Sequence, residues 1–288
     1  MVEITVLSGK GGTGKTSITA AFASVAKDIV LCDNDVDAAD LHLILTPEII
    51  QENVFAAGWQ AHINNQLCVD CGKCAELCRF GAIAKVDETY QVNSFKCEGC
   101  RLCEHECPVK AITSKQSINN KWFVSNTRYG KMVHAKMGAG EENSGKLVSL
   151  IRSKSKAIAE KEFVDIILND GPPGIGCTAI SSLTGTDKVL IVIEPTRSGW
   201  HDAARLIQLV HKFGINCYAI INKFDLNKKV CTHIIEALNE LKIDLLGKIS
   251  FNEDFVRAAL KQQSIIEYAP KSKNSILIQN IWAQLVAK

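Results

Sequence analysis

The 288-residue sequence has no excess of either charge: 33 lysines and arginines face 31 acidic residues, a formal net charge of +2, with no long basic run. Without a basic block there is no electrostatic footprint for a phosphate backbone, so no nucleic-acid partner is predicted. No apolar stretch reaches the ~18 residues of a membrane-spanning helix, so no span is predicted. The opening MVEITVLSGKGG lacks a basic segment followed by an apolar run and a cleavage site, which predicts a soluble, cytoplasmic protein. What the chain does not lack is cysteine. Of its twelve, eight fall in two tight groups and four are scattered among apolar neighbours. That is not the pattern of a small secreted disulfide scaffold, and it predicts a reducing compartment. The length suits one large α/β domain with a small insert.

Short β-rich runs are predicted at Ile4 to Leu7, Ile29 to Cys32, Asp165 to Leu168, Val189 to Ile193, Cys217 to Ile221 and Leu245 to Ile249. Helical patterns lie between them, at about Gly14 to Lys27, Trp200 to Phe213 and Lys229 to Leu241. Such alternation predicts a mostly parallel sheet with helices on both faces. From about Asn64 to Thr113 the periodicity stops and cysteine dominates. We place an inserted domain at 61–118, between segments 1–60 and 119–288 of the main domain. Within it, CVDCGKCAELCRFGAI from Cys68 returns 29 residues later as CEGCRLCEHECPVKAI from Cys97, which implies pseudo-twofold symmetry. Alternation from Lys121 to Lys136 around Tyr129 and Gly130 predicts a hairpin that returns the chain to the main domain.

Gly9-Lys10-Gly11-Gly12-Thr13-Gly14-Lys15-Thr16 fits G-x-x-x-x-G-K-[ST] directly after a strand and at the start of a helix. The glycines let backbone N–H groups curl around a phosphate at a helix N-terminus. Lys15 is placed to reach the β/γ-phosphates of ATP, Thr16 to hold Mg²⁺, and Ser17 lies beside them on the same helical turn. Asp33, Asp35 and Asp170 follow predicted strands, where a carboxylate facing the phosphate loop meets Mg²⁺ and its waters. An ordinary strand-ending turn is the alternative for each.

The additional Lys10 makes this segment resemble the deviant-Walker-A ATPases, the superfamily of MinD, ParA and the nitrogenase iron protein. The resemblance implies that Lys10 reaches across a dimer to the partner's nucleotide. The implied assembly is an ATP-dependent homodimer, or a heterodimer with a paralogue. It also implies that Asp35 positions the attacking water, that Asp170 and secondarily Asp33 hold the Mg²⁺ shell, and that Asn222 reads the adenine edge, with weaker base contacts from Ser250 to Phe251.

Each cysteine group has the spacing C-x₂-C-x₂-C-x₃-C, and the second ends in Cys107-Pro108. This is similar to the bacterial ferredoxin arrangement, in which the fourth cysteine of each run ligates the other run's cluster. One [4Fe-4S] cluster then takes Cys68, Cys71, Cys74 and Cys107, and the other Cys97, Cys100, Cys103 and Cys78. Paired cysteines also suit Zn²⁺, but the doubled four-cysteine run and Cys107-Pro108 favour cubanes. Arg79 stands where proline often follows. Together the motifs resemble MinD-superfamily ATPases with an inserted ferredoxin-like (α+β) domain.

The resulting expectation is an ATP-hydrolysing switch that couples nucleotide state to electron transfer, with an unidentified redox or cluster-accepting partner. The rivals are a cluster-carrier ATPase and a positioning ATPase with structural clusters. Cys177 reads as a buried or switch-associated thiol, and Cys32, Cys217 and Cys231 as core or surface thiols. The histidines read as surface or packing residues. Ile276 to Ala287 reads as a helix packed on the sheet, because it has no basic face for a membrane.

Overall fold

The computed structural model describes residues 1–26, 28–56, 58–116, 118–138 and 144–287. The chain begins β1 (Val2–Ser8), α1 (Lys15–Ala26), β2 (Val30–Asp33), α2 (Leu41–Leu45) and β3 (Glu48–Phe55). Helix α1 was expected to run to Lys27, which lies outside the described residues. The cysteine-rich stretch contains β4 (Trp59–Ile63), α3 (Lys73–Leu77), β5 (Ile83–Val86), β6 (Thr89–Val92), α4 (Leu102–Glu106) and β7 (Ile112–Gln116). Strands β8 (Asn120–Thr127) and β9 (Gly130–Lys136) follow, then α5 (Ser144–Glu162), β10 (Ile166–Pro173), α6 (Cys177–Leu183) and β11 (Lys188–Ile193). The chain closes with α7 (Arg197–Lys212), β12 (Asn216–Asn222), α8 (Lys228–Glu240), β13 (Asp244–Ile249), α9 (Asp254–Leu260), α10 (Ile265–Tyr268) and α11 (Lys273–Ala287). Two compact units result. One comprises Met1–Glu52, Trp122–Ala135 and Gly145–Lys288, the other Asn53–Lys121 and Lys136–Ser144.

The main sheet has nine strands in the order β13-β12-β11-β1-β10-β2-β9-β8-β3. The pairings from β13 through to β9 are parallel. The central strands are apolar on both sides because helices cover both faces. Ile4, Val6, Leu190, Val192 and Ile220 enter one core with Ile18 and Phe22 of α1 and Ile278, Ile281 and Leu285 of α11. Their neighbours Leu7, Val189, Ile191, Ala219 and Ile221 enter the other, with Leu206 and Val210 of α7 and Ile234 and Leu238 of α8. This is the period-two alternation of a doubly wound sheet. Helix α7 begins three residues earlier than the apolar pattern indicated, because Thr196 caps it by accepting from the Gly199 N–H.

Strands β8 and β9 are neighbours joined through Arg128 and Tyr129, a connection short enough only for an antiparallel hairpin. Gly130 has a φ of +136° and lies against the Ile29 backbone, where a Cβ has no room.

The second unit carries its sequence repeat into the backbone. β4 pairs antiparallel with β7 through Ile63 and Ile112, and β5 with β6 through Ile83 and Val92. A shift of 29 residues converts one pair into the other and α3 into α4. The same shift relates the left-handed residues Asp70, Gly72 and Gly81 to Gly99, Arg101 and Lys110. Arg101 and Lys110 thus hold a conformation that glycine takes freely.

Candidate functional site

At the C-terminal edge of the main sheet, β1 delivers the chain into the loop 9–14 and α1 takes it out. Gly9 packs so closely on the Asp202–Ala203 backbone of α7 that a Cβ would collide with it. Gly12 and Gly14 have φ of +76° and +94°, which side chains rarely adopt. Adjacent strand ends supply the acids. Asp33 of β2 and Asp170 of β10 are exact register partners, so their carboxylates sit side by side. Both are fully buried.

Asp33 accepts from the Asp35 N–H (3.2 Å) and the Leu41 N–H (3.3 Å). Asp170 Oδ1 accepts from the Thr19 hydroxyl at 2.9 Å, while its buried Oδ2 has no hydrogen-bond partner among the described residues. Lys15, 7% exposed, lies 3.7 Å from Asp35 Oδ2. Burial is the largest influence on all three acids and pushes each upward, Asp35 to about 6. Asp170 adds to the rise in Asp33, whereas Lys15 pulls against it in Asp35 and Asp170. Three carboxylates around one ammonium leave an excess of negative charge that a divalent cation can neutralise. The orphaned Asp170 Oδ2 and the neighbouring Thr16 hydroxyl fit Mg²⁺ chemistry.

Lys10 turns back into its own subunit. Its Nζ donates to Glu194 Oε1 (3.4 Å) and to Thr196 Oγ1 (3.2 Å). Asn222 donates through Nδ2 to the Thr13 carbonyl (2.8 Å) and accepts at Oδ1 from the Lys223 N–H (3.0 Å). An amide has two N–H groups and two lone pairs, so Asn222 keeps capacity for a further partner. Beside it Gly12, Gly14, Ser17, Asn222, Ser250 and Phe251 line a cleft together with Phe255, Val256 and Ala259 of α9. The α9 wall, Thr19 and Glu194 were not assigned roles from sequence. Glu194 directly follows the predicted strand Val189 to Ile193, and that place was the available signal.

In the second unit, Cys68, Cys71, Cys74 and Cys107 line one small apolar cavity together with Ile63, Val69 and Pro108. Cys97, Cys100, Cys103 and Cys78 line another with Leu77, Phe80 and Ile83. In each, three cysteines come from one run and the fourth from the other. The fourth sulfur also accepts a backbone hydrogen bond at matching places, Ala82 N–H to Cys78 Sγ (3.4 Å) and Ala111 N–H to Cys107 Sγ (3.2 Å). Burial raises Cys74 and takes Cys103 to about 11, with the Cys97 sulfur adding to the latter. Such thiols ionise only when a cation compensates the charge. Among the described residues, no three or more His, Cys, Asp or Glu side chains converge as a single metal ion requires. Cys177, expected to be buried or switch-associated, is exposed as the first residue of α6, which leaves the switch-associated reading. Cys32 and Cys231 are buried.

The fold and the loop together define a P-loop nucleotide-binding protein of the doubly wound α/β class. A family model described as the CobQ/CobB/MinD/ParA nucleotide binding domain matches residues 4–265. The chain belongs to that family, and its main unit is an ATPase domain of the MinD/ParA type. It is 31% identical over 239 residues to an uncharacterized protein of Methanocaldococcus jannaschii, covering 79% of this chain and 80% of that one. The Pyrococcus furiosus cell division ATPase MinD superposes with a TM-score of 0.61 at 17% identity, over 99% of this chain and 98% of the other, a likeness of fold. Over 50 residues, 17% of this chain and 58% of its counterpart, it is 38% identical to the pyruvate synthase subunit PorD of Methanothermobacter marburgensis. Among the described residues no helix is long and apolar enough to cross a membrane.

Proposed function

We propose that this protein is an ATP-hydrolysing switch that couples nucleotide state to electron transfer through two [4Fe-4S] clusters. The observation that carries the reading is the crossed grouping of the eight cysteines into two apolar cavities, each with a backbone N–H on its fourth sulfur. Cys68, Cys71, Cys74 and Cys107 fit one cluster, and Cys97, Cys100, Cys103 and Cys78 the other. When bound, each supplies one-electron redox chemistry. The short likeness to PorD is consistent with this assignment but spans too little of either chain to carry it.

In the ATPase unit, the loop amides and Lys15 take the phosphates, Thr16 and Asp170 hold Mg²⁺, and Asn222 with the α9 wall takes the base. Phosphate charge arriving at Lys15 competes with Asp35, so the carboxylate is released towards the water that attacks the γ-phosphorus. Asp35 orients that water by accepting its hydrogen bond. The water–phosphorus bond forms as the bond to the β–γ bridging oxygen breaks, and ADP and phosphate leave. The nucleotide-bound form is an ATP-dependent dimer in which Lys10 reaches the partner's phosphates. A lysine that finds that partner only in the dimer gives ATP the differential affinity a switch requires.

The test is anaerobic purification followed by metal analysis and reduced-state EPR. About eight iron and eight sulfide per chain are expected. Cys78→Ala removes the cluster facing Cys97, Cys100 and Cys103, and Cys107→Ala the other. Stoichiometric zinc without sulfide, or loss of the wrong cluster, overturns the assignment.

A further inference from the structure

Glu194 follows β11 and its side chain is only 14% exposed. Its two oxygens hold two different lysines. Oε1 accepts from Lys10 at 3.4 Å and Oε2 from Lys223 at 3.0 Å, and Lys223 also donates to the Gly12 carbonyl at 3.0 Å. Lys223 adopts a φ of +55°, a left-handed conformation that a lysine keeps only where its surroundings impose it. One carboxylate therefore ties Lys10 to the same loop whose nucleotide its own subunit binds. The arm to Lys223 is short and doubly anchored. The arm to Lys10 is longer than the ~2.7–2.9 Å of a tight charge-assisted bond, and among the described residues Thr196 is the only other side chain to which Lys10 donates.

We propose that Glu194 is a restraint on self-association, a positioning residue that keeps Lys10 within its own subunit until a second copy of this chain presents a nucleoside triphosphate. The inference rests on the dimer reading above. Lysine is a compact charge on a flexible stem and can exchange one anionic partner for another. A single carboxylate at 3.4 Å competes poorly with a triphosphate and better with a diphosphate, so the restraint adds selectivity for ATP over ADP. Its cost to assembly follows from the fraction of subunits whose lysine is free, because apparent affinity falls by that fraction. In a symmetric pair both lysines must leave. A restraint that frees one lysine in about ten therefore weakens the dimer about a hundredfold.

Glu194→Gln keeps the size of the side chain and its accepting oxygen but removes the charge. Sedimentation over a range of protein concentrations, with the non-hydrolysable analogue AMP-PNP, should show the variant associating at a concentration at least about tenfold below wild type. Lys10→Ala combined with Glu194→Gln should not associate. Lys223→Met, which removes the other arm together with the Gly12 contact and leaves the Glu194 charge to Lys10 alone, should not associate more tightly than wild type. In the nucleotide-free protein, acylation of the Lys10 amine should be faster in Glu194→Gln than in wild type, with the thermal melt confirming that both are folded. If wild type associates with AMP-PNP but Glu194→Gln associates no more tightly, or if Lys10 labels equally in both, the restraint is wrong and the dimer reading stands. If wild type does not associate at any concentration, the dimer reading falls and the restraint with it.

Discussion

Asp35 is buried beside two other acids and one lysine, and its carboxyl is pushed up to about 6, mainly by burial, against the pull of Lys15. In the unfolded chain an aspartate ionises near 3.9. Between those values the folded protein binds more protons than the unfolded one, so stability falls as pH rises from about 4 to about 6. Asp33 and Asp170 are raised too and act in the same direction. Thermal unfolding of the nucleotide-free protein should therefore show less decline across that window in Asp35→Asn than in wild type. Asp35→Asn should still bind ATP yet hydrolyse it on the order of 10²-fold more slowly, since an amide orients water less strongly. Binding and turnover that both match wild type would show that the wrong carboxylate has been assigned. Lys15→Ala removes the charge aimed at the phosphates. It should weaken ATP binding and lower turnover by a similar or larger factor in single-turnover measurements.

Helix α11 shows how an element's surroundings decide its role. Trp282 is buried and its ring lies 5.2 Å from Phe22 of α1, the helix that starts at the phosphate loop. Trp282→Ala should cost roughly 3–5 kcal/mol in denaturant unfolding, and Trp282→Phe considerably less. The missing basic face of Ile276 to Ala287 was enough to place this helix against the sheet rather than on a membrane. The central strands were equally legible, because runs such as Val189 to Ile193 are apolar on both sides. Boundaries were less so: the apolar pattern of α7 opens at Trp200, whereas the Thr196 cap starts the helix at Arg197. In the site, Gly9 to Thr16, the three aspartates and the eight cysteines could be read from spacing and residue type. The Glu194 contacts could not, because they join Lys10 to residues nearly two hundred positions away through the order of strands in the sheet. For Cys177 only the buried alternative falls, since the thiol is exposed at the start of α6.

For the whole molecule, coupling requires an element that feels the nucleotide and is continuous with the cysteine-rich unit. Helix α2 meets both conditions: the Leu41 N–H is held by Asp33 in the site, and the chain after α2 passes through β3 into the second unit. The hairpin by which the chain returns grips the other end of α2. Arg128, at its turn, donates to the Ile44 and Leu45 carbonyls and to Thr46 Oγ1, and it pairs with Glu267 of α10 at 3.0 Å. The same guanidinium donates to the Gln262 carbonyl beyond α9, the helix that walls the base cleft. Arg128 thus gathers the outgoing chain, the returning chain and the nucleotide cleft at one planar group, a role that lysine's single charge does not reproduce. On the proposed two-cluster reading, with a fixed chemical reductant delivering one electron per cluster, reduction followed by EPR should differ in rate or midpoint between ATP and ADP in wild type. Arg128→Ala should shrink that difference while retaining most of the ATPase rate, because its hydrogen-bond partners among the described residues, Ile44, Leu45, Thr46, Gln262 and Glu267, lie outside the loop 9–14. Arg128→Lys should restore it only in part. If the difference between ATP and ADP persists undiminished in Arg128→Ala, nucleotide state reaches the clusters by another route; if wild type shows no difference, the two units work independently.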